Sequence, residues 1–190
     1  MKGRLVYVMG PSGAGKDSLL AWLKDRLPPQ APVHMARRTI TRPVRAGDEQ
    51  HHSVGADAFQ QLWEAQAFAF DWQANGLRYG VHHDELVPLH AGGWVIVNGS
   101  RAYLSQAMAK FPALAVVHVT ASVETLRRRL LSRGRETPEM VDARVRRAAE
   151  FQSPPGSIEI HNDGTLDAAG ARLLQAFRQL GSWPLGAAAS

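Results

Sequence analysis

Residues 10–18 read Gly10-Pro11-Ser12-Gly13-Ala14-Gly15-Lys16-Asp17-Ser18, and this run constrains the fold more than any other stretch of the chain. An apolar segment over 5–9 precedes it and an amphipathic segment over 18–24 follows, so the order predicts strand, glycine loop and helix. The backbone of such a loop wraps close to phosphate oxygens in conformations that a Cβ obstructs, which is why glycine recurs. The helix N-terminus adds partial positive charge, and Lys16 extends toward the β- and γ-phosphates as a point charge. We therefore expect a nucleoside triphosphate site built from Gly10, Pro11, Ser12, Gly13, Ala14, Gly15, Lys16, Asp17 and Ser18, with Lys16 catalytic.

One position departs from the usual pattern. The residue after the lysine is normally Ser or Thr, whose hydroxyl ligates Mg²⁺, and here it is Asp17, with Ser18 one place later. A carboxylate is a hard oxygen ligand suited to Mg²⁺. Asp17 equally suits the first turn of a helix, where negative charge is favourable. Both readings stand at this point, and Asp17 is the first choice for a metal ligand, with Asp84 and Glu85 behind it.

The 190 residues suit one domain, taken over 1–190, with a full-sized core and small insertions. No run approaches 18 apolar residues, so we expect no membrane span, no targeting segment and a cytoplasmic location. The absence of cysteine excludes disulfides, thiolate chemistry and Cys-based zinc sites. The net charge of +5 raises nucleic-acid binding, but 18 of the 22 basic residues are Arg, clustered at 37–45 and 127–147. Arginine presents a planar fork that matches phosphate, so these clusters read as grips for a small phosphorylated ligand, with no nucleic acid expected. The pairs His51-His52 and His82-His83 lack helical metal-ligand spacing and read as polar contacts rather than a metal site.

Along the chain, apolar strands are expected near 5–9, 33–35, 94–98, 114–120 and 158–160. Helices are expected near 56–66, 103–110, 123–132, 138–151 and 166–180. Phe68, Phe70 and Trp72 alternate with polar or small residues, and Asn75-Gly76 then turns the chain toward 77–81, which predicts a hairpin. Residues 37–54 read as a functional loop with some extended structure. Strands alternating with helices imply an α/β fold with a parallel sheet and helices on both faces. The segment at about 37–81 forms an insertion to one side.

The run Arg38-Thr39-Ile40-Thr41-Arg42-Pro43-Val44-Arg45-Ala46-Gly47-Asp48 resembles the acceptor-phosphate segment of guanylate kinases, T-T-R-x-x-R-x-G-E. The resemblance implies that Arg42 and Arg45 hold one acceptor phosphate between two guanidinium forks. Residues Leu126-Arg127-Arg128-Arg129-Leu130-Leu131-Ser132-Arg133-Gly134-Arg135-Glu136-Thr137 resemble the lid of that family, placed at about 133–147. It implies that Arg133 and Arg135 close on the transferring phosphoryl group and that Arg144 adds a substrate contact. Arg127, Arg128 and Arg129 read instead as a charged helix face. The sequence Ile160-His161-Asn162-Asp163-Gly164 resembles the family's adenine-contacting turn, implying ATP contacts from Asn162 and Asp163.

The likeness to the guanylate-kinase-like P-loop kinase superfamily runs from residue 4 to about 180, yet the base-reading parts do not carry over. Tyr79-Gly80 match a Tyr-Gly of the acceptor region, implying a substrate contact for Tyr79, but Val81 stands where a base-contacting hydroxyl is expected. The strand over 94–98 ends in Asn98 rather than an acidic residue. Phosphate grips without a base reader, together with Asn75-Gly76-Leu77-Arg78-Tyr79-Gly80 and Val97-Asn98-Gly99-Ser100-Arg101, look like the ribose 1,5-bisphosphate phosphokinases of bacterial phosphonate degradation. That resemblance implies ATP as phosphoryl donor, Mg²⁺ as cofactor and a small phosphorylated sugar as acceptor. The implied product is 5-phosphoribosyl 1-diphosphate (PRPP). The rival readings are a guanylate kinase and a non-catalytic guanylate-kinase-like binding module. Intact Gly10, Gly15, Lys16 and Arg133 favour an enzyme. Oligomeric state is not legible in the sequence.

Overall fold

The computed structural model describes residues 3–44, 51–134, 136–181 and 183–184. Arg45 and Arg135 therefore lie outside the described residues. Five strands form one sheet in the order β2-β7-β1-β8-β9: β1 is Arg4–Met9, β2 Val33–Met35, β7 Trp94–Asn98, β8 Ala115–Thr120 and β9 Ile158–His161. The β2–β7 and β8–β9 pairs are parallel. A second sheet, in the order β4-β3-β6-β5, comprises β3 (Thr39–Ile40), β4 (His52–Ser53), β5 (Phe68–Ala74) and β6 (Leu77–His82). The chain divides into two compact units. One is built on Leu27–Ala115 with the start of β1 through Tyr7, and the other on Val8–Arg26 and Val116–Gly181.

In the second of these units, helix α1 (Lys16–Arg26) leaves the glycine loop directly, its first intrahelical bond running from Leu19 N–H to the Gly15 carbonyl. It packs on α6 (Leu166–Gln179) through Trp22, whose indole lies where a Cβ on Gly170 would stand, at 2.5 Å. Glycine at 170 is thus what lets the two helices approach. Helices α4 (Val123–Ser132), α5 (Pro138–Ala149) and α6 each start at a hydroxyl cap, Ser122, Thr137 and Thr165, which accept from Thr125, Met140 and Ala168 N–H. Pro138 occupies the first position of α5, where no N–H is needed. A 2.7 Å ion pair between Arg127 and Asp142 ties α4 to α5 on their exposed side.

In the first unit, the predicted hairpin forms as β5–β6, with Asn75 and Gly76 both at positive φ, 53° and 73°. Helix α2 (Ala56–Glu64) covers it, with Phe59 fully buried and stacked on Phe68. Residues 37–54 hold the two short strands β3 and β4, which are the extended structure expected within that loop. Backbone pairing supplies the order there, Thr39 opposite Gly80 and Ile40 opposite Tyr79. Before α3 (Leu104–Lys110), residues 101–103 tighten into a 3₁₀ turn because the Ser100 hydroxyl accepts the Ala102 N–H. The segment after β6, His83–Leu89, is also 3₁₀. Among the described residues, no helix is long and apolar enough to cross a membrane.

Candidate active site

The glycine loop owes its shape to close backbone approaches. A Cβ on Gly10 would stand 1.9 Å from the Val119 carbonyl oxygen of β8, and backbone cannot give way. Gly15 holds φ +87°, a left-handed conformation that favours glycine, and a Cβ there would meet the Asn162 amide nitrogen at 2.4 Å. Asn162 is 4% exposed, and its side chain donates to the Ala14 carbonyl at 2.8 Å while its N–H donates to the Thr120 carbonyl at 2.8 Å. The turn after β9 therefore braces the loop from beneath. Neighbouring Asp163 accepts the Ser122 N–H at 2.8 Å, and hydrogen bonding from Ser122, its side chain first and its N–H second, holds the carboxyl below the ordinary aspartate value.

Three cations converge on the loop. Lys16 Nζ donates to the carbonyls of Gly10 at 2.8 Å and Pro11 at 3.3 Å, so its charge lies across the loop that bears it. Arg129 Nη1 of α4 donates to the Gly13 carbonyl at 3.3 Å, and Arg144 Nη1 of α5 donates to the Ser12 hydroxyl at 3.1 Å. Arg144 is steadied by a 2.7 Å ion pair with Glu136. Together with the N-terminus of α1, this cation set suits a polyanion at the loop.

Arg129 is the residue that the sequence reading missed: it is not part of a solvated charged face but reaches the loop. The signal lies in the pattern of α4. Leu126 and Leu130 form its buried stripe, and Arg129 flanks that stripe half-buried, whereas Arg127 and Arg128 are exposed. Arg133 is exposed at the C-terminal cap of α4, and Asp17 and Ser18 are exposed in the first turn of α1. Asp17 thus places an exposed carboxylate residue next to Lys16, a donor type that fits Mg²⁺, which keeps waters and takes one or two carboxylates beside phosphate oxygens. Among the described residues, no group of three or more His, Asp or Glu side chains gathers as a metal cluster.

The other unit carries Arg42, Tyr79 and the paired histidines. The Arg42 carbonyl is within 3.3 Å of His51 Nε2. Tyr79 is half-buried, its ring parallel to Trp72 at 5.3 Å, and the Arg38 guanidinium stands 5.6 Å from the Tyr79 centroid. Val81 is fully buried opposite Phe70, also fully buried, so this position is apolar core. His82 packs edge-on to Phe68 at 4.7 Å, and burial, with His52 second, lowers its pKa. Buried Asn98 ends β7, and the chain beyond it is clasped by Tyr7, whose hydroxyl donates to the Ser100 carbonyl at 3.0 Å and accepts its N–H at 2.8 Å. Burial raises the pKa of Tyr7. Glu85 is engaged by His34 and the Arg37 N–H rather than standing as an open metal ligand.

No protein-family model matches the chain. Among solved structures, it resembles a guanylate kinase from Anaplasma phagocytophilum, with a TM-score of 0.67 and 16% identity over 93% of this chain and 85% of that one. That likeness establishes the P-loop kinase fold. Among curated proteins, the chain is 43% identical over 175 residues to the ribose 1,5-bisphosphate phosphokinase PhnN of Thiobacillus denitrificans, covering 92% of each chain. It is 46% identical over 176 residues to the protein of that name from Chromobacterium violaceum, covering 93% of this chain and 94% of that one. With identities of this size along nearly the whole length, the chain belongs to the ribose 1,5-bisphosphate phosphokinase PhnN family.

Proposed function

We propose that this protein transfers the γ-phosphoryl group of ATP to the 1-phosphate of ribose 1,5-bisphosphate, giving ADP and 5-phosphoribosyl 1-diphosphate in the cytoplasm. The observation that carries the donor half is the convergence of Lys16, Arg129 and Arg144 on the carbonyls and hydroxyl of one glycine loop. The triphosphate takes the place of those loop oxygens as partner for the three cations. Asp17 would hold Mg²⁺, which supplies charge neutralisation for the triphosphate when bound.

The acceptor is a phosphate whose second pKa lies near 6, so it is largely ionised at neutral pH and needs no catalytic base. One P–O bond forms between an acceptor phosphate oxygen and the γ-phosphorus, and the bond to the β-bridging oxygen breaks, with its electron pair leaving on ADP. The obstacle is repulsion between two anions, and arginine is the remedy. Arg42 and Arg45 take the acceptor phosphate beside Tyr79, in an acceptor region at 37–81. Arg133 and Arg135 belong to a lid at 133–147 that closes on the γ-phosphoryl group and excludes water. Buried Val81 and Phe70 give a purine no polar partner, which favours a sugar phosphate over GMP. A panel of phosphorylated acceptors with ATP, scored by ADP release, tests this reading. Ribose 1,5-bisphosphate should lead the panel, and a lead for GMP would overturn it.

A further inference from the structure

Among the described residues of β3, β5 and β6, the face of the second sheet that carries Tyr79 is lined by aliphatic and aromatic side chains. Residues opposite one another in an antiparallel pair share a face, and so do residues two apart in a strand. Ile40 lies opposite Tyr79, Tyr79 opposite Trp72, and Val81 opposite Phe70. Ile40, Val81 and Phe70 are fully buried and Trp72 nearly so. Arg38, two residues before Ile40, brings a charge to the edge of this face. Its guanidinium is set over the Tyr79 ring, and that charge is felt at the Tyr7 hydroxyl. Arg78 lies on the opposite face, where it donates to Gln60 and packs 4.5 Å over Phe59.

The backbone at Arg38 is held on every side. The Ala36 N–H donates to the Ile96 carbonyl at 2.9 Å. The Arg37 N–H donates to Glu85 Oε2 at 2.9 Å, the same oxygen that His34 Nε2 approaches at 2.6 Å. The Arg38 carbonyl accepts the His52 N–H at 2.8 Å. A guanidinium held over an aromatic ring and carried on pinned backbone is preorganised for bidentate contact with two oxygens of an anion such as phosphate.

We propose that Arg38 is a specificity-determining residue that binds the non-reacting 5-phosphate of the acceptor, so that the site selects a sugar carrying two phosphates. This rests on the acceptor reading above. Ribose 1,5-bisphosphate has a phosphate at each end, and a nucleoside monophosphate has one. If Arg42 takes the reacting 1-phosphate, a second fork is needed for the other end. Arg38 lies four residues from Arg42, at most about 14 Å away along the chain.

The test measures kcat/KM for ribose 1,5-bisphosphate and ribose 1-phosphate at saturating ATP in wild type, R38Q and R38K, with ribose 1-phosphate also scored as a competitive inhibitor. R38Q should lower the bisphosphate value about 30-fold, the scale of a lost charged hydrogen bond. Turnover or inhibition by ribose 1-phosphate should stay within about threefold, because that ligand has no 5-phosphate for Arg38 to bind. An equal fall for both ligands, or no fall for either, overturns the assignment. Should R38Q fail to fold by its thermal transition, R38K decides by the same comparison, since it keeps the charge and loses the fork. Wild-type enzyme inert toward the bisphosphate would overturn the acceptor reading itself, whereas an active wild type with an unselective R38Q overturns only the role of Arg38.

Discussion

Replacing Asn162 by Ala removes the brace beneath the phosphate loop while leaving the turn's backbone bond to Thr120 in place. The lost bond is the 2.8 Å donation to the carbonyl of Ala14, a residue with no exposed surface. A buried acceptor stripped of its donor costs about 1–3 kcal/mol, so N162A should lose about 2 kcal/mol of stability. In a chain of this size each kcal/mol lowers Tm by about 2–4 °C, which puts the shift at about 4–8 °C. N162D should lose more, because a carboxylate oxygen then faces the Ala14 carbonyl and a negative charge stands under an anion-binding loop. Both variants should raise the KM for ATP, since the Ala14 carbonyl of the loop then lacks its donor. Urea unfolding and initial-rate assays at pH 7 measure both effects. An N162A protein within about 0.5 kcal/mol of wild type, with unchanged KM for ATP, would refute the brace.

K16M should keep the fold and lose at least about 100-fold in kcat, because the charge removed stabilises the transferring phosphoryl group. A circular-dichroism melt beside the rate assay checks both parts. R129Q should lower kcat/KM for ATP about 10- to 100-fold, while R127Q, which loses only an exposed pair with Asp142, should stay near wild type; steady-state kinetics of the two variants decide this. The Asp163 carboxyl is held below its ordinary value of 3.8 by hydrogen bonding from the Ser122 side chain and then its N–H, so its contribution to stability is present above that pH and fades as pH falls through the folded value. The stability gap between wild type and D163N should therefore close in denaturant titrations run from pH 7 down below 3.8.

The parts of this molecule that were legible in sequence are those where local backbone demands fix residue type. Gly10 and Gly15 are required by contacts of 1.9 and 2.4 Å that any Cβ would make, and Asn75-Gly76 by the left-handed hairpin turn. The helices expected near 123, 138 and 166 begin there because Ser122, Thr137-Pro138 and Thr165 supply caps that are also local. Contacts between distant segments were not. That Arg129 turns toward Gly13, or that the Asn162 amide bonds to Ala14 across 148 positions, depends on how α4 and β9 are placed against the loop. The extended structure expected within 37–54 could not be located at 39–40 and 52–53 for the same reason: its order comes from pairing of the two strands with one another and of β3 with β6, not from their own composition.

The central claim, that phosphate grips remain while the base reader is gone, is tested most directly by following ATP with ribose 1,5-bisphosphate and with GMP by phosphorus NMR. The account predicts that a new diphosphate grows on the sugar at the rate ADP appears, and that GMP at equal concentration is turned over about 10⁴-fold more slowly or not at all. Conversion of GMP to GDP with comparable kcat/KM would contradict it.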